Sequence, residues 1–101
     1  MTTLAQTLAE DRRGIILRVL ADQGDFALNE GVLQDALERF GHKVAQDMVR
    51  DDLSWLKDHG LLSVAELSGG ALWIANLTKR GEDVAAGRAK VPGVKRPSPK
   101  E

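Results

Sequence analysis

Apolar residues recur at three- and four-residue intervals through three stretches of the chain, then give way to the shorter runs of extended strands. Leu4, Leu8, Ile15, Ile16, Val19 and Leu20 make one stripe and predict a first helix over about residues 3–23. Thr3 and Gln6 have capping-box spacing at its start, and Gly24 is placed for a left-handed cap at its end. Gly14, inside this helix, forfeits up to about 1 kcal/mol against alanine, which marks either a close backbone contact or mere tolerance. A second helix starts at Asn29, a good N-cap, and stops at Gly41. Its predicted buried face is Val32, Leu33, Ala36, Leu37 and Phe40. A third helix is predicted over 45–59, with Gly60 as the stop. At about 100° per residue, Ala45, Val49, Leu53 and Leu56 cluster on its core-facing side.

Residues 61–67 and 71–77 read as two short strands, with Ser68, Gly69 and Gly70 as the hairpin turn. Thr78 opens a last helix that packs Val84 and Ala85 inward and ends near Gly87. Two short strands cannot stand alone and must lie on the helices. The order ααα-ββ-α therefore predicts a mainly helical α+β domain with a small hairpin, a winged helix-turn-helix, over residues 1–87. From Arg88 onward the chain has three prolines and almost no large apolar groups. Such a segment does not offset its ordering entropy, so residues 88–101 are expected to be a mobile basic tail.

The segment VRDDLSWLKDHGLLSV, residues 49–64, resembles the third helix and first wing strand of winged-helix regulators. Leu53, Leu56, Gly60, Leu61 and Leu62 carry the likeness. LTKRGEDVAAG, residues 77–87, resembles the exit from the wing into the last helix of such proteins. The likeness covers about residues 4–87. With its VPGVKRP segment, the whole chain also resembles a group of small proteins of Mu-like phages and prophages, labelled as ArsR-like regulators. That resemblance implies a transcriptional regulator that binds double-stranded DNA, as a homodimer through the first and last helices. Metal sensing does not carry over, because the chain has no cysteine.

Composition narrows the classes further. The 101 residues suit one domain. With no cysteine there are no disulfides or thiolate metal sites, and a reducing compartment fits. His42 and His59 are too few for a metal site, so no cofactor is expected. No apolar run approaches the ~20 residues of a membrane span, and the N-terminus lacks a signal-peptide pattern. The expected location is the cytoplasm of a bacterial host, with no membrane partner. No phosphate-cradling loop or catalytic triad is present, and the adjacent Asp51 and Asp52 diverge around a helix and read as solvent-facing. No enzyme is expected.

Charge complicates the DNA reading. Net charge is -1, but residues 1–77 carry seven Lys/Arg against twelve Asp/Glu, while residues 78–101 carry seven against three. On the third helix the outward centre is Asp47, Asp51, Ser54 and Asp58. Phosphates oppose such a stripe, and the wing turn carries no cation. Candidate DNA contacts are Gln46, Arg50, Ser54 and Lys57 on that helix and Lys43 just before it. Lys79 and Arg80 in the last helix and Lys95 and Arg96 in the tail, with Lys100, complete the set. The alternative is a protein-interaction module that presents Asp47, Asp51 and Asp58 to a basic partner, with Trp55 as an anchor.

Overall fold

A computed structural model describes residues 2–97. In chain order the elements are α1 (Leu4–Ala21), β1 (Ala27–Asn29), α2 (Glu30–Arg39), α3 (Gln46–Asp58), β2 (Leu62–Leu67), one 3-10 turn (Ser68–Gly70), β3 (Leu72–Leu77) and α4 (Lys79–Ala85). Among the described residues the fold is α+β: four helices and a three-stranded antiparallel sheet of order β1-β3-β2, a winged-helix-like arrangement. The predicted caps form. Thr3 and Gln6 close a capping box on α1, Asn29 accepts from the Val32 amide, and Thr78 accepts from the Gly81 amide. Each satisfies a backbone donor that a helix start leaves open.

The core lies where the stripes meet. Ile16, Leu17 and Leu20 of α1, Leu33 and Leu37 of α2, Val49, Leu53 and Leu56 of α3, and Leu61 are all sealed from solvent. β2 and β3 pair from Leu62 opposite Leu77 to Leu67 opposite Leu72. Directly opposed residues share a face, so Val64, Trp73, Ala75 and Leu77 lie over the helices. All four belong to or pack against the core. Leu67 and Leu72 fall on the outer face and stay 44% and 37% exposed.

Four details differ from the expectation. A third strand, β1, pairs Ala27 with Asn76 and Asn29 with Ile74; three residues are too few to show an alternating pattern. The left-handed residue after α1 is Phe26 (φ 58°), not Gly24. On α2, Val32 and Phe40 are exposed rather than buried, at 44% and 58%. The fourth correction concerns the tail.

Residues 88–97 are packed, not loose. Val91 and Val94 are buried. The Lys95 amide donates to the Glu10 carbonyl (3.1 Å), and Arg13 donates to the Gly93 carbonyl (2.8 Å). Gly14 allows this approach, since a Cβ there would lie 3.0 Å from the Lys95 carbonyl oxygen. Gly93, at φ +98°, sits where a Cβ would lie 2.5 Å from the Trp55 ring. Two valines and two glycines thus dock a strap that proline content alone marks as loose. Residues 98–101, including Lys100, lie outside the described residues. Deleting everything after Gly87 is expected to cost about 3 kcal/mol, the worth of two buried valines. The midpoint of a circular-dichroism melt should fall by more than about 10 °C; a loose tail would leave it unchanged.

Candidate functional site

Two pairs of charges set what α3 shows to solvent. On its inner flank, Asp52 is buried and accepts from Arg12 of α1 at 2.7 and 3.3 Å. Burial raises the Asp52 carboxyl above its usual range, with Arg12 pulling the other way. Asp52 is therefore a bolt between α1 and α3, not the solvent-facing group that the sequence suggests. A helix plot places it one position from the core stripe, and only the third dimension supplies Arg12.

The second pair engages Arg50, one of the candidate DNA contacts. Arg50 donates to both oxygens of Glu30 at 2.6 and 2.8 Å and to the Gly70 carbonyl at 3.0 Å. Its guanidinium lies 4.6 Å from the Trp73 ring centroid. Glu30 is buried and also accepts from the Trp73 amide at 2.9 Å. The Arg50 hydrogen bonds, helped by the Trp73 amide and Gln46 and opposed by burial, hold the Glu30 carboxyl down to about 2. The bidentate geometry is the strong form of a charge-assisted bond. It ties α2, α3 and the wing turn together and neutralises Arg50, itself half-buried, against a buried carboxylate. Glu30 was not among the candidates from sequence; a lone glutamate after an N-cap looks like an ordinary helix-start residue.

What remains exposed on α3 is acidic. Asp47, Asp51 and Asp58 are exposed, with Ser54 half-buried among them. Lys43 and Lys57 are exposed and make no ion pair among the described residues. Beside this helix the wing tip offers Leu67 and Leu72, with the exposed Glu66 next to them.

Trp55 does not stand free as an anchor. It is half-buried, stacks on His59 (centroids 3.7 Å apart), lies 4.1 Å below the Arg13 guanidinium and abuts Gly93. Its partners are α1 and the strap. The other cations are divided. Lys79 pairs with Asp83 (3.2 Å) and Glu82, and Lys95 pairs with Asp11 (3.4 Å). Arg80 and Arg96 are exposed and make no ion pair among the described residues. His42 pairs with Asp11 at 2.6 Å. No group of three potential metal ligands occurs among the described residues, and no described helix is long and apolar enough to cross a membrane.

The chain is 50% identical over 93 residues to the uncharacterized protein gp26 of Escherichia phage Mu, a match spanning 92% of this chain and 94% of that protein. It belongs to the family of phage Mu gp26. An uncharacterized protein of Haemophilus influenzae is 35% identical over 92 residues, spanning 86% of this chain and 88% of its own length. No protein-family model matches the chain. The likeness to phage Mu gp26 runs almost the full length of both proteins, so it takes in the wing and reaches past any one motif. In this gp26-family chain, then, the surface to be explained is α3 and the wing: three exposed aspartates, an outer Leu67–Leu72 pair and a central arginine paired with Glu30.

Proposed function

We propose that this gp26-family protein is a winged-helix interaction module whose α3 face and wing tip dock a protein partner with a basic surface and an apolar anchor. One observation carries the reading: Arg50, the cation nearest the centre of the α3 face, is held by Glu30, while Asp47, Asp51 and Asp58 stand in solvent. Duplex DNA places a charge every ~1.7 Å of its axis and draws binding strength from phosphate neutralisation. A helix with three exposed carboxylates repels that surface and attracts its opposite. Leu67 and Leu72, exposed on the wing tip whose turn Arg50 tethers to α3, supply the apolar contact that a protein interface uses.

A second reading keeps the phage or prophage transcription regulator that binds double-stranded DNA, supported by the resemblance to ArsR-like-labelled regulators. Residues 78–97 carry Lys79, Arg80, Arg88, Lys90, Lys95 and Arg96 against Glu82 and Asp83, and the strap holds part of this charge on the body of the fold. Here the duplex meets the C-terminal side and the flank with Lys43 and Lys57, and α3 does not enter the groove head-on.

One pair of measurements separates the readings. With a photo-crosslinker at position 51, the chain should capture a protein partner in phage-producing cells. Changing Asp47, Asp51 and Asp58 to Asn, with the crosslinker moved to position 54, should reduce that yield at least about tenfold. Random duplex should not bind at ~50 mM salt. Tight duplex binding that falls steeply with salt, and that the Asn changes leave intact or strengthen, would overturn the protein-partner reading in favour of DNA.

A further inference from the structure

The first turns of α1 stand clear of the core. Residues 2–8 are exposed, and Leu4 and Leu8 among them show 73% and 41% of their surface to solvent. A helix start with so little packing frays unless its own bonds hold it. Here they do. The Thr3 amide donates to Gln6 Oε1 at 2.8 Å, the Gln6 amide to Thr3 Oγ1 at 3.1 Å, and the Thr7 hydroxyl to the Thr3 carbonyl at 3.1 Å. Two leucines one turn apart are thereby kept on one face of an ordered helix end.

Met48 of α3 continues that face. Arg12 lies one turn after Leu8 on α1, and its Nη2 approaches Met48 Sδ at 3.2 Å. Arg12 is buried and neutralised by Asp52, so it floors the space between Leu8 and Met48 without offering a charge. Met48 is 40% exposed, with exposed Asp47 one position before it and exposed Asp51 one turn after it. The acidic stripe of α3 thus has an apolar margin on each flank. Arg50 ties one flank to the wing, and Met48 with Arg12 ties the other to Leu8 and Leu4.

Charge and backbone chemistry say what covers this corner. Asp47, Asp51 and Glu10 make no ion pair among the described residues, whereas Asp11 is satisfied by His42 and Lys95. Lys43, exposed just before α3, is one cation against them. A second copy meeting here would set carboxylates against carboxylates, and a basic segment would not. Both walls are helix surfaces whose amides and carbonyls already pair along the helix, so an extended segment gains no backbone partner. An amphipathic helix arrives with its own backbone satisfied and lays an i, i+3, i+4 stripe on the apolar residues.

We infer that the corner between the start of α1 and the start of α3 seats a basic amphipathic helix of the protein partner. Its apolar stripe lies on Leu4, Leu8 and Met48, and its lysines or arginines lie beside Asp47 and Asp51. This rests on the reading of α3 as a protein-docking face and adds the form of the partner and a second place where it anchors. The rise from Leu4 to Arg12 is about 12 Å, so about three turns of partner helix cover the seat. The capped end of α1 needs no ordering on binding, which lowers the entropic cost of the contact.

The probe is a fluorescently tagged peptide of about 15 residues, with leucines at helical spacing and lysines elsewhere. Anisotropy titration against the full chain at ~50 mM salt should give a Kd below about 100 µM. A leucine–glutamate peptide of the same pattern, and a lysine peptide with a central proline, should each bind at least about tenfold more weakly. Leu4→Ser with Leu8→Ser changes exposed positions, so circular dichroism should stay native while the lysine peptide binds at least about tenfold more weakly. Asp47→Asn with Asp51→Asn should act by a similar factor, and Leu67→Ser with Leu72→Ser should leave binding within about twofold. Binding that needs the aspartates but ignores Leu4 and Leu8, or that the proline peptide matches, would overturn the seat and leave the α3 reading standing. So would no binding up to about 200 µM. Binding indifferent to the aspartates, together with salt-sensitive binding of random duplex, would take down both.

Discussion

Replacing Gly81 by alanine is expected to destabilise the protein by about 3–5 kcal/mol, measured by urea unfolding. A Cβ at this position would lie 2.0 Å from the Leu61 carbonyl oxygen and 2.6 Å from Leu77 Cδ1. The leucine tip can move; the carbonyl cannot, because the Thr78 amide donates to that same oxygen at 3.2 Å while the Thr78 hydroxyl donates to the Gly60 carbonyl at 2.7 Å. The start of α4 is clamped to the chain entering β2, and relief of the clash requires the clamp to open. Whole-domain stability is only about 5–15 kcal/mol, so one methyl group removes a large part of it. Gly24→Ala is the control: nothing lies within 4 Å of a Cβ there, and its backbone is outside the left-handed region. It should be neutral or stabilising by up to about 1 kcal/mol through the unfolded chain. Equal effects at the two glycines would refute the steric account.

Glu30→Gln should have the next largest effect, about 2–3 kcal/mol, because it leaves the Arg50 guanidinium and the Trp73 amide sharing one neutral acceptor. Amide exchange should quicken from Gly70 to Trp73, where the wing turn is held by Arg50. The same carboxylate sets an acid limb. Its folded value, about 2, lies below the ordinary 4.5, so its contribution is complete above about pH 4.5 and is lost as the pH falls toward 2. The parent should lose stability across that window and the Gln variant should lose less. The variant also bears on function, since it releases a cation into the acidic face. Affinity for a basic partner should drop and that for random duplex should rise. If the wing exchanges no faster and the acid limb is unchanged, Glu30 does not hold the wing.

The elements that were legible in the sequence are those whose signal is local. Thr3 with Gln6, Asn29 and Thr78 cap helices through bonds to residues three positions away, so spacing alone identifies them. The hairpin at Ser68, Gly69 and Gly70 follows from two glycines that tolerate positive φ (66° and 94°). The α3 face was legible in its aspartates, because periodicity and buried Val49, Leu53 and Leu56 leave Asp47, Asp51 and Asp58 outside.

Side-chain surroundings were not legible wherever they depended on a partner far along the chain. Arg50 looks like a groove-facing cation until Glu30, twenty residues earlier, takes it. Asp52 looks solvated until Arg12, forty residues earlier, pairs with it. Phe40 fits the buried stripe of α2 until the end of that helix runs past the core. The strap is a sum of small contacts, two valines and two glycines, that composition reads as absence of structure.

By itself, then, the sequence determined the order of helices and strands, their caps and turn, and an acidic third helix, since periodicity and capping act over three or four residues. Only the tertiary structure decided which charges are paired within the fold, that residues 88–97 are part of the body, and that Met48 of α3 reaches Arg12, one turn from Leu8. Pairing and burial depend on distances between segments far apart in the chain, and no local pattern encodes those distances.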